Sequence, residues 1–304
     1  MATNQPAALS NLVLKTTGAS MSIPGTNDPV ELELDKIMKE DDAAQAEVDG
    51  WIRENDRFRE EGAGVSNAEL NRRILKRFEP IRKHYVDLIQ SYPTNANARV
   101  AFASFLKDVG DLDGELEQLE KARELDPKDP AIWNNLGNYY GEFGPATNAF
   151  IYYEKAIDLN SNEPVYWENL ATTVCMLRKD AKEHYHLNEG QVFDKSLSLY
   201  AKALSLDPGN FTLATELAET YYIIRPMRLE PALEAWTNAL KVAHNETERE
   251  GVYIHLARIK ASAGRFQEAR SHLSAVTNAV YAELKSIGLK NVERREKAAQ
   301  ETAK

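Results

Sequence analysis

Bulky apolar side chains recur at spacings of three and four along most of the chain, which predicts short helices with one buried face. Between Trp133 and Tyr140 these side chains share one face, and Gly137 leaves room there for a second helix to approach closely. Gly144 supplies a turn before that second helix, which presents Ala149, Tyr153 and Ala156. One such hairpin cannot bury its apolar faces alone, so the pattern predicts stacked hairpins.

The hairpin pattern repeats along the chain. Trp133 and Trp167 are 34 residues apart, and the segments around residues 119–127, 153–160 and 200–208 are similar to one another. Asp-Pro closes two of these segments, because the residue before a proline avoids helical angles. The third segment begins about 13 residues later than the 34-residue period requires, which predicts an insertion near residues 176–191.

This order of Trp, Leu-Gly, Tyr, Ala, aromatic, Ala and Pro resembles the tetratricopeptide repeat (TPR) family, whose repeat is 34 residues long. The resemblance covers roughly residues 95–280 and is clearest over residues 131–164. The preceding copy departs from it, because Glu115 stands where the family prefers alanine. The resemblance implies an all-α fold, a TPR helix-hairpin solenoid that forms a right-handed superhelix of about five to six repeats.

Four regions follow from these patterns. Residues 1–27 are predicted to be an extended or disordered N-terminal tail, since they are polar and lack a helical period. Residues 28–94 are predicted to be an N-terminal helical pair, a diverged repeat in which Asp28-Pro29 starts the first helix and Ser66 with Glu69 forms a capping box for the second. The TPR array spans residues 95–280, and a C-terminal capping helix with a charged tail spans residues 281–304.

Composition and charge narrow the function. The chain has 47 acidic and 37 basic residues and a net charge of −10, so nucleic acid is not an expected partner. Its single cysteine, Cys175, excludes an intrachain disulfide and is expected to be a buried thiol. Neither a secretory signal nor a membrane span is evident, which leads us to expect a cytoplasmic protein.

The first helix of each TPR hairpin lines the usual peptide groove of the family, so the resemblance implies a groove as the binding site. Asn135 and Asn169 recur one repeat apart, and in some TPR proteins a ladder of such asparagines binds the backbone of an extended peptide. The alternative is that these amides are only solvated. The candidate groove residues are Lys107, Asn134, Asn135, Asn138, Glu168, Asn169, Thr172, Glu216, Glu219 and Tyr222.

A second TPR binding mode, the carboxylate clamp of chaperone adaptors, requires lysine and arginine in the groove. Here Asn134 stands where the first clamp lysine is needed, and Val165, Glu168 and Glu216 fall where further basic residues should follow. A peptide carboxylate would meet like charge in such a groove. We therefore expect a neutral or basic partner segment.

Three other features of the sequence allow more than one structural or functional interpretation. The basic segment from Arg72 to His84 suggests either a docking face for an acidic partner or a solvated face paired with nearby acidic residues; it contains Arg72, Arg73, Lys76, Arg77, Arg82, Lys83 and His84. His184 and His186 have an HxH spacing, but two residues diverge on a helix, so no metal site is expected. The insertion is expected to lengthen both helices of its hairpin into a prong.

No nucleotide loop, nucleophile elbow or zincin helix is present in the sequence, so neither catalysis nor a cofactor is expected. The sequence therefore favours a protein-interaction scaffold or adaptor that binds a peptide or subunit in the groove. The alternative is a structural subunit of a stable multiprotein complex, held through convex or terminal surfaces. The identity of the partner and the oligomeric state stay open.

Overall fold

The computed structural model describes residues 28–302, so the tail predicted for residues 1–27 lies outside the described residues. Over this range the chain is all-helical, with α-helices, one short 3-10 helix and no strand among the described residues. The described residues form two compact units, one that ends at Asn160 and one that begins at Ser161. Each unit is described by itself below.

The described part of the first unit contains three helical hairpins. Asp28 caps the first helix by accepting a hydrogen bond from the Val30 N–H at 3.1 Å, with Pro29 in the first turn as predicted. The aromatic side chains of Tyr85 and Phe102 stack at 5.4 Å in the core of this unit. Its helices are α1 (Pro29–Glu60), α2 (Asn67–Ser91), α3 (Ala96–Asp108), α4 (Leu112–Leu125), α5 (Pro130–Phe143) and α6 (Ala146–Leu159).

The predicted capping box of α2 forms only in part. The Ser66 hydroxyl accepts a hydrogen bond from the Glu69 N–H at 3.2 Å, but the Glu69 carboxylate pairs with Arg72 instead of returning to the cap. Pro80 lies inside α2 without ending it. One half of the box is therefore sufficient to start this helix.

The basic segment of α2 is a largely neutralised face. Arg77 pairs with Glu47 of α1 at 2.7 Å, and Arg82 pairs with Asp111 at the start of α4 at 2.7 Å. His84 lies 2.9 Å from Glu40 of α1. These contacts favour the interpretation of a face paired with nearby acidic residues, since most of its cations already have carboxylate partners.

The hairpin of α5 and α6 packs closely at Gly137, the small residue that the sequence predicts at this contact. A Cβ atom on Gly137 would lie 2.6 Å from Cδ1 of Tyr153, closer than real Cβ contacts. Tyr153 is only 3% exposed and its hydroxyl donates to Asn138 Oδ1 at 2.8 Å, so its ring cannot easily move. The two helices therefore require glycine at this contact.

We expect Gly137→Ala to lower the free energy of unfolding by about 1–2 kcal/mol, because overpacking against Tyr153 exceeds the gain in helix propensity. Gly50 is the matched control, since it also lies inside a helix but a Cβ atom added there would have no neighbouring atom within 4 Å. Gly50→Ala should raise the same free energy by about 1 kcal/mol. Urea unfolding of both variants measures the difference, and equal effects would contradict the close contact.

The second unit continues the hairpin pattern and ends in a single long helix. α7 packs on α9, α10 on α11, and α12 on α13, while α14 packs on both α12 and α13. A 3-10 helix (Ala279–Tyr281) precedes α14. The helices are α7 (Pro164–Met176), α8 (Arg178–Tyr185), α9 (Glu189–Leu206), α10 (Phe211–Thr220), α11 (Leu229–Lys241), α12 (Glu246–Ser262), α13 (Phe266–Ala275) and α14 (Ala282–Thr302).

The insertion lengthens only one helix of its hairpin, so the expectation that it lengthens both was wrong. α7 ends at Met176, and the next residues form the separate short helix α8, in which Ala181 is buried. His186 ends α8 in a left-handed conformation, which turns the chain into the capping box of Asn188 and Gln191. Because α8 packs on α7 and α9, the insertion lies against its hairpin.

A buried carboxylate anchors the C-terminal helix. Glu250 of α12 is 1% exposed and accepts hydrogen bonds from the N–H groups of Thr277 and Asn278 at 3.0 and 2.7 Å. These backbone hydrogen bonds lower the pKa of Glu250, because they stabilise its charged form. The carboxylate thus holds the segment that leads into α14.

Candidate functional site

In the first unit, the first helices of two hairpins, α3 and α5, lie side by side. The Lys107 ammonium of α3 pairs with the Glu142 carboxylate of α5 at 2.8 Å. This ion pair joins the C-terminal ends of the two helices. We call the side of α3 and α5 that carries Lys107, Asn135 and Asn138 the first face.

The three asparagines of α5 have different environments. Asn134 is fully buried, so its side chain is not available to a ligand in this structure. Asn138 is partly buried, and its Oδ1 accepts the hydrogen bond from Tyr153. Asn135 is 8% exposed, and the structure gives its amide no hydrogen-bond partner among the described residues. Of the three, Asn135 is therefore the amide whose hydrogen-bonding groups stay unpaired among the described residues.

A cluster of carboxylates lies near Lys107. Glu115 of α4 is only 3% exposed, and its Oε2 atom has no hydrogen-bond partner among the described residues. Burial, with smaller contributions from the charges of Glu142 and Asp108, raises the pKa of Glu115 to about 7. Lys107 opposes this rise without cancelling it. The sequence pointed to Glu115 only as a departure from the family's alanine.

Two aspartates of α1 extend this cluster. Burial and the nearby charge of Asp108 raise the pKa of Asp41 to about 7, and burial also raises the pKa of Asp42. The Tyr85 hydroxyl donates to Asp41 at a long 3.4 Å. Periodicity did not single out these residues, because acidic residues on a helix normally face water.

In the second unit, the corresponding face is formed by the first helices α7, α10 and α12, which we call the second face. The carboxyl groups of Glu168 in α7 and Glu216 in α10 are hydrogen-bonded to each other. Burial raises the pKa of Glu216, and the charge of the exposed Glu219 adds to that rise. Two carboxyl groups in contact hold a shared proton more readily than isolated ones do.

The remaining polar candidates of the second face lie beside this acid pair. The hydroxyls of Thr172 and Tyr200 are 2.7 Å apart, which connects α7 to α9. Burial raises the pKa of Tyr200, so this phenol stays neutral at physiological pH. Asn169 is partly buried and already has an interaction partner. Its amide therefore differs in environment from that of Asn135, although the two occupy equivalent sequence positions.

An aromatic cluster closes the second face at its α12 end. The Tyr222 hydroxyl lies 2.9 Å from His255 Nδ1, and His255 stacks on Trp236 at 4.0 Å with an interplanar angle of 7°. Arg258 lies over the Tyr222 ring at 4.2 Å. Burial, together with the charge of Arg258, lowers the pKa of His255 to about 4, so His255 is neutral here. Sequence reasoning identified Tyr222 but missed its three partners.

Two further predictions from the sequence concern the reactivity of the Cys175 thiol and metal binding by His184 and His186. Cys175 is 2% exposed, and burial raises the pKa of its thiol, which agrees with a buried and unreactive cysteine. His184 and His186 lie on α8 and at its end. Across residues 28–302, no group of three or more His, Cys, Asp or Glu side chains is arranged to hold a metal ion.

Comparisons with known proteins agree with this architecture. The family model of the tetratricopeptide repeat matches residues 130–163, which are α5, α6 and the linker to α7. This match identifies one tetratricopeptide repeat in the chain. No curated protein matches its sequence.

Solved structures resemble this chain in fold at low identity. PilW, described as a widely conserved type IV pilus biogenesis factor, is 17% identical with a TM-score of 0.53, covering 74% of this chain and 100% of that chain. PilF of Pseudomonas aeruginosa is 15% identical with a TM-score of 0.52, covering 83% and 99%. YrrB, described as a TPR protein with an unusual peptide-binding site, is 17% identical with a TM-score of 0.49, covering 68% and 97%.

At these identities the likeness shows the fold alone, a TPR helix-hairpin solenoid. Among the described residues, no helix is long and apolar enough to cross a membrane.

Proposed function

We propose that this chain is a scaffold that binds an extended segment of another protein on its first face or on its second face. The observation that carries the proposal is the Asn135 amide, which is held on a packed helix without a hydrogen-bond partner among the described residues. An amide offers both a donor and an acceptor, which matches the alternating groups of an extended backbone. Asn169 occupies the equivalent position one repeat later.

The charge of both faces supports a neutral or basic segment rather than an acidic one. The second face presents the Glu168–Glu216 acid pair together with Glu219. The first face presents one ammonium, Lys107, which is already paired with Glu142. A peptide carboxylate would have to approach these groups against like charge, at a cost of free energy.

The proposed role is binding, without catalysis or a cofactor, in the cytoplasm. The scattered carboxylates with raised pKa values owe those shifts mainly to burial within the hairpin stack. A preformed binding face limits the ordering cost to the partner segment.

A second candidate function, a structural subunit held by its C-terminal surface, rests on an apolar stripe. Val280, Leu284 and Ile287 are 77%, 49% and 47% exposed on the 3-10 helix and α14. They follow one another at spacings of four and three, so they lie along one side of this segment. An apolar stripe of this kind suits a protein interface.

One capture experiment from the native host separates the two functions. The baits are the wild-type chain, the double variant Asn135→Ala/Asn169→Ala, and the triple variant Val280→Ser/Leu284→Gln/Ile287→Gln. The matched control is Asn71→Ala/Asn238→Ala, which removes one exposed amide from each unit away from both faces. We expect the asparagine double variant to retain about thirtyfold less of the specific partner, because two lost hydrogen bonds of about 1 kcal/mol each add up to that factor.

The stripe variant and the control should retain the partner as the wild type does. If the stripe variant alone loses the partner, the structural-subunit function replaces the proposed one. Equal capture by all four baits would contradict both functions.

A further inference from the structure

We infer that Glu115, Asp108 and Glu142 form a receptor site for one lysine or arginine side chain of the bound segment. The inference rests on the proposed function and assigns a specificity to the first face. It is carried by a buried carboxylate without a partner, by the surplus of negative charge around it, and by an exposed ion pair at its edge.

Glu115 has a carboxylate at a position of the repeat where the following hairpins have a small residue. Glu115 lies seven residues before the recurring alanine of its hairpin, where the following hairpins have Ala149, Ser196 and Ala232. Ser196 satisfies its hydroxyl by donating to the Ala171 carbonyl at 2.8 Å. By contrast, the Glu115 Oε2 atom is buried and accepts no hydrogen bond among the described residues. Such an atom loses its hydration on folding and gains nothing in return.

The charges around Glu115 call for a cation that the described residues do not supply. The charges of Asp108 and Glu142 both act on Glu115. The charge of Asp42 acts on Asp108, and the charge of Asp108 acts on Asp41. The nearby ammonium of Lys107 is held by Glu142 at 2.8 Å. One ammonium cannot neutralise five carboxyl groups, so a further positive charge would be stabilised at this place.

An amine or guanidinium fits this site better than a metal ion does. The described residues hold no arrangement of three metal-ligating side chains, whereas a single ammonium needs only one or two carboxylate oxygens. The side chains of Lys107 and Glu142 are 39% and 53% exposed, so the site opens to solvent at this ion pair. A partner's basic side chain can enter beside it and donate to the Glu115 carboxylate.

The test uses pools of twelve-residue peptides whose central residue is Arg, Lys, Gln or Glu and whose other positions are randomised over uncharged residues. Retention of each pool on the immobilised full chain is measured near neutral pH. We expect the Arg and Lys pools to be retained about tenfold more than the Gln pool, as expected for a hydrogen bond to a charged group. Glu115→Ala should reduce this preference to less than twofold.

Glu117→Ala is the matched control, because it removes one negative charge from the exposed side of the same helix, where Glu117 pairs with Lys121. It should keep the preference for basic residues. The inference is overturned if the wild type retains the Arg and Gln pools equally, or if the preference survives in Glu115→Ala. Equal retention of all pools that still depends on Asn135 would leave the proposed function standing, whereas no retention of any pool would contradict both.

Discussion

Replacing Glu115 with alanine should raise the free energy of unfolding by about 3 kcal/mol at pH 8 and by much less at pH 5. Burial raises the pKa of Glu115 from 4.5 to about 7, and each pKa unit corresponds to about 1.4 kcal/mol of preference for the protonated form. Above pH 7 the folded chain therefore contains a charged carboxylate that is 3% exposed and poorly compensated. Alanine is the residue that the following hairpin has at this place, Ala149.

The sign of the pH dependence follows from the raised pKa. Below pH 4.5 the carboxyl is protonated in both the folded and the unfolded chain, so its burial carries no ionisation cost. As the pH rises from 4.5 through 7, the unfolded chain loses its proton first, and the wild-type free energy of unfolding falls. Asp41, whose pKa is also raised to about 7, acts in the same direction.

His255 acts in the opposite direction and at lower pH. Its pKa is lowered from 6.5 to about 4, so its contribution to stability is lost as the pH falls through that interval. The informative quantity is therefore the difference between the wild type and Glu115→Ala at each pH, in which the other groups cancel.

Urea unfolding at pH 5, 6, 7 and 8 measures this difference. Glu117→Ala serves again as the control and should change the free energy of unfolding by less than about 0.5 kcal/mol at every pH, since Glu117 is exposed. A Glu115→Ala effect that stays constant between pH 5 and 8 would mean that the carboxylate is not the source of the cost.

The repeat itself was readable from the sequence because its residues are fixed by contacts within each hairpin. Gly137 faces Tyr153 inside one hairpin, and Asp126 ends α4 immediately before a proline. Such contacts join residues close in sequence, so they leave a period that self-comparison detects. The start of α1 at Pro29 was predictable for the same reason, since the cap depends on neighbouring residues.

The environments of the candidate site residues were not readable in this way, because they depend on contacts between hairpins. The exposed fraction of Asn134, which is zero, depends on the packing around α5 and not on its local pattern. The contact between Glu168 and Glu216 joins two hairpins across an insertion of irregular length. The course of α8 was missed because a short helix of charged residues has a weak apolar period.

Trp236→Ala should lower the free energy of unfolding by about 3–5 kcal/mol, the range for removing a large aromatic side chain from a core. Trp236 is 1% exposed and belongs to the cluster of α10, α11 and α12. Trp133 is the matched control, because it is only partly buried and its Nε1 atom donates to the Pro127 carbonyl at 2.9 Å. Trp133→Ala should therefore lower the free energy of unfolding by less, about 1–2 kcal/mol.

The same substitution has a second readout at the candidate site, since His255 stacks on the Trp236 indole at 4.0 Å. Burial is the main cause of the lowered pKa of His255, so removing the indole should move that pKa from about 4 back towards 6.5. NMR titration of the His255 ring measures the shift, and Trp236→Phe, which keeps a ring, should give a smaller one. An unchanged His255 pKa in Trp236→Ala would mean that Tyr222 and Arg258 alone keep the histidine neutral. In that case the neutral state of His255 on the second face would depend on its contacts with Tyr222 and Arg258 rather than on the core beneath it.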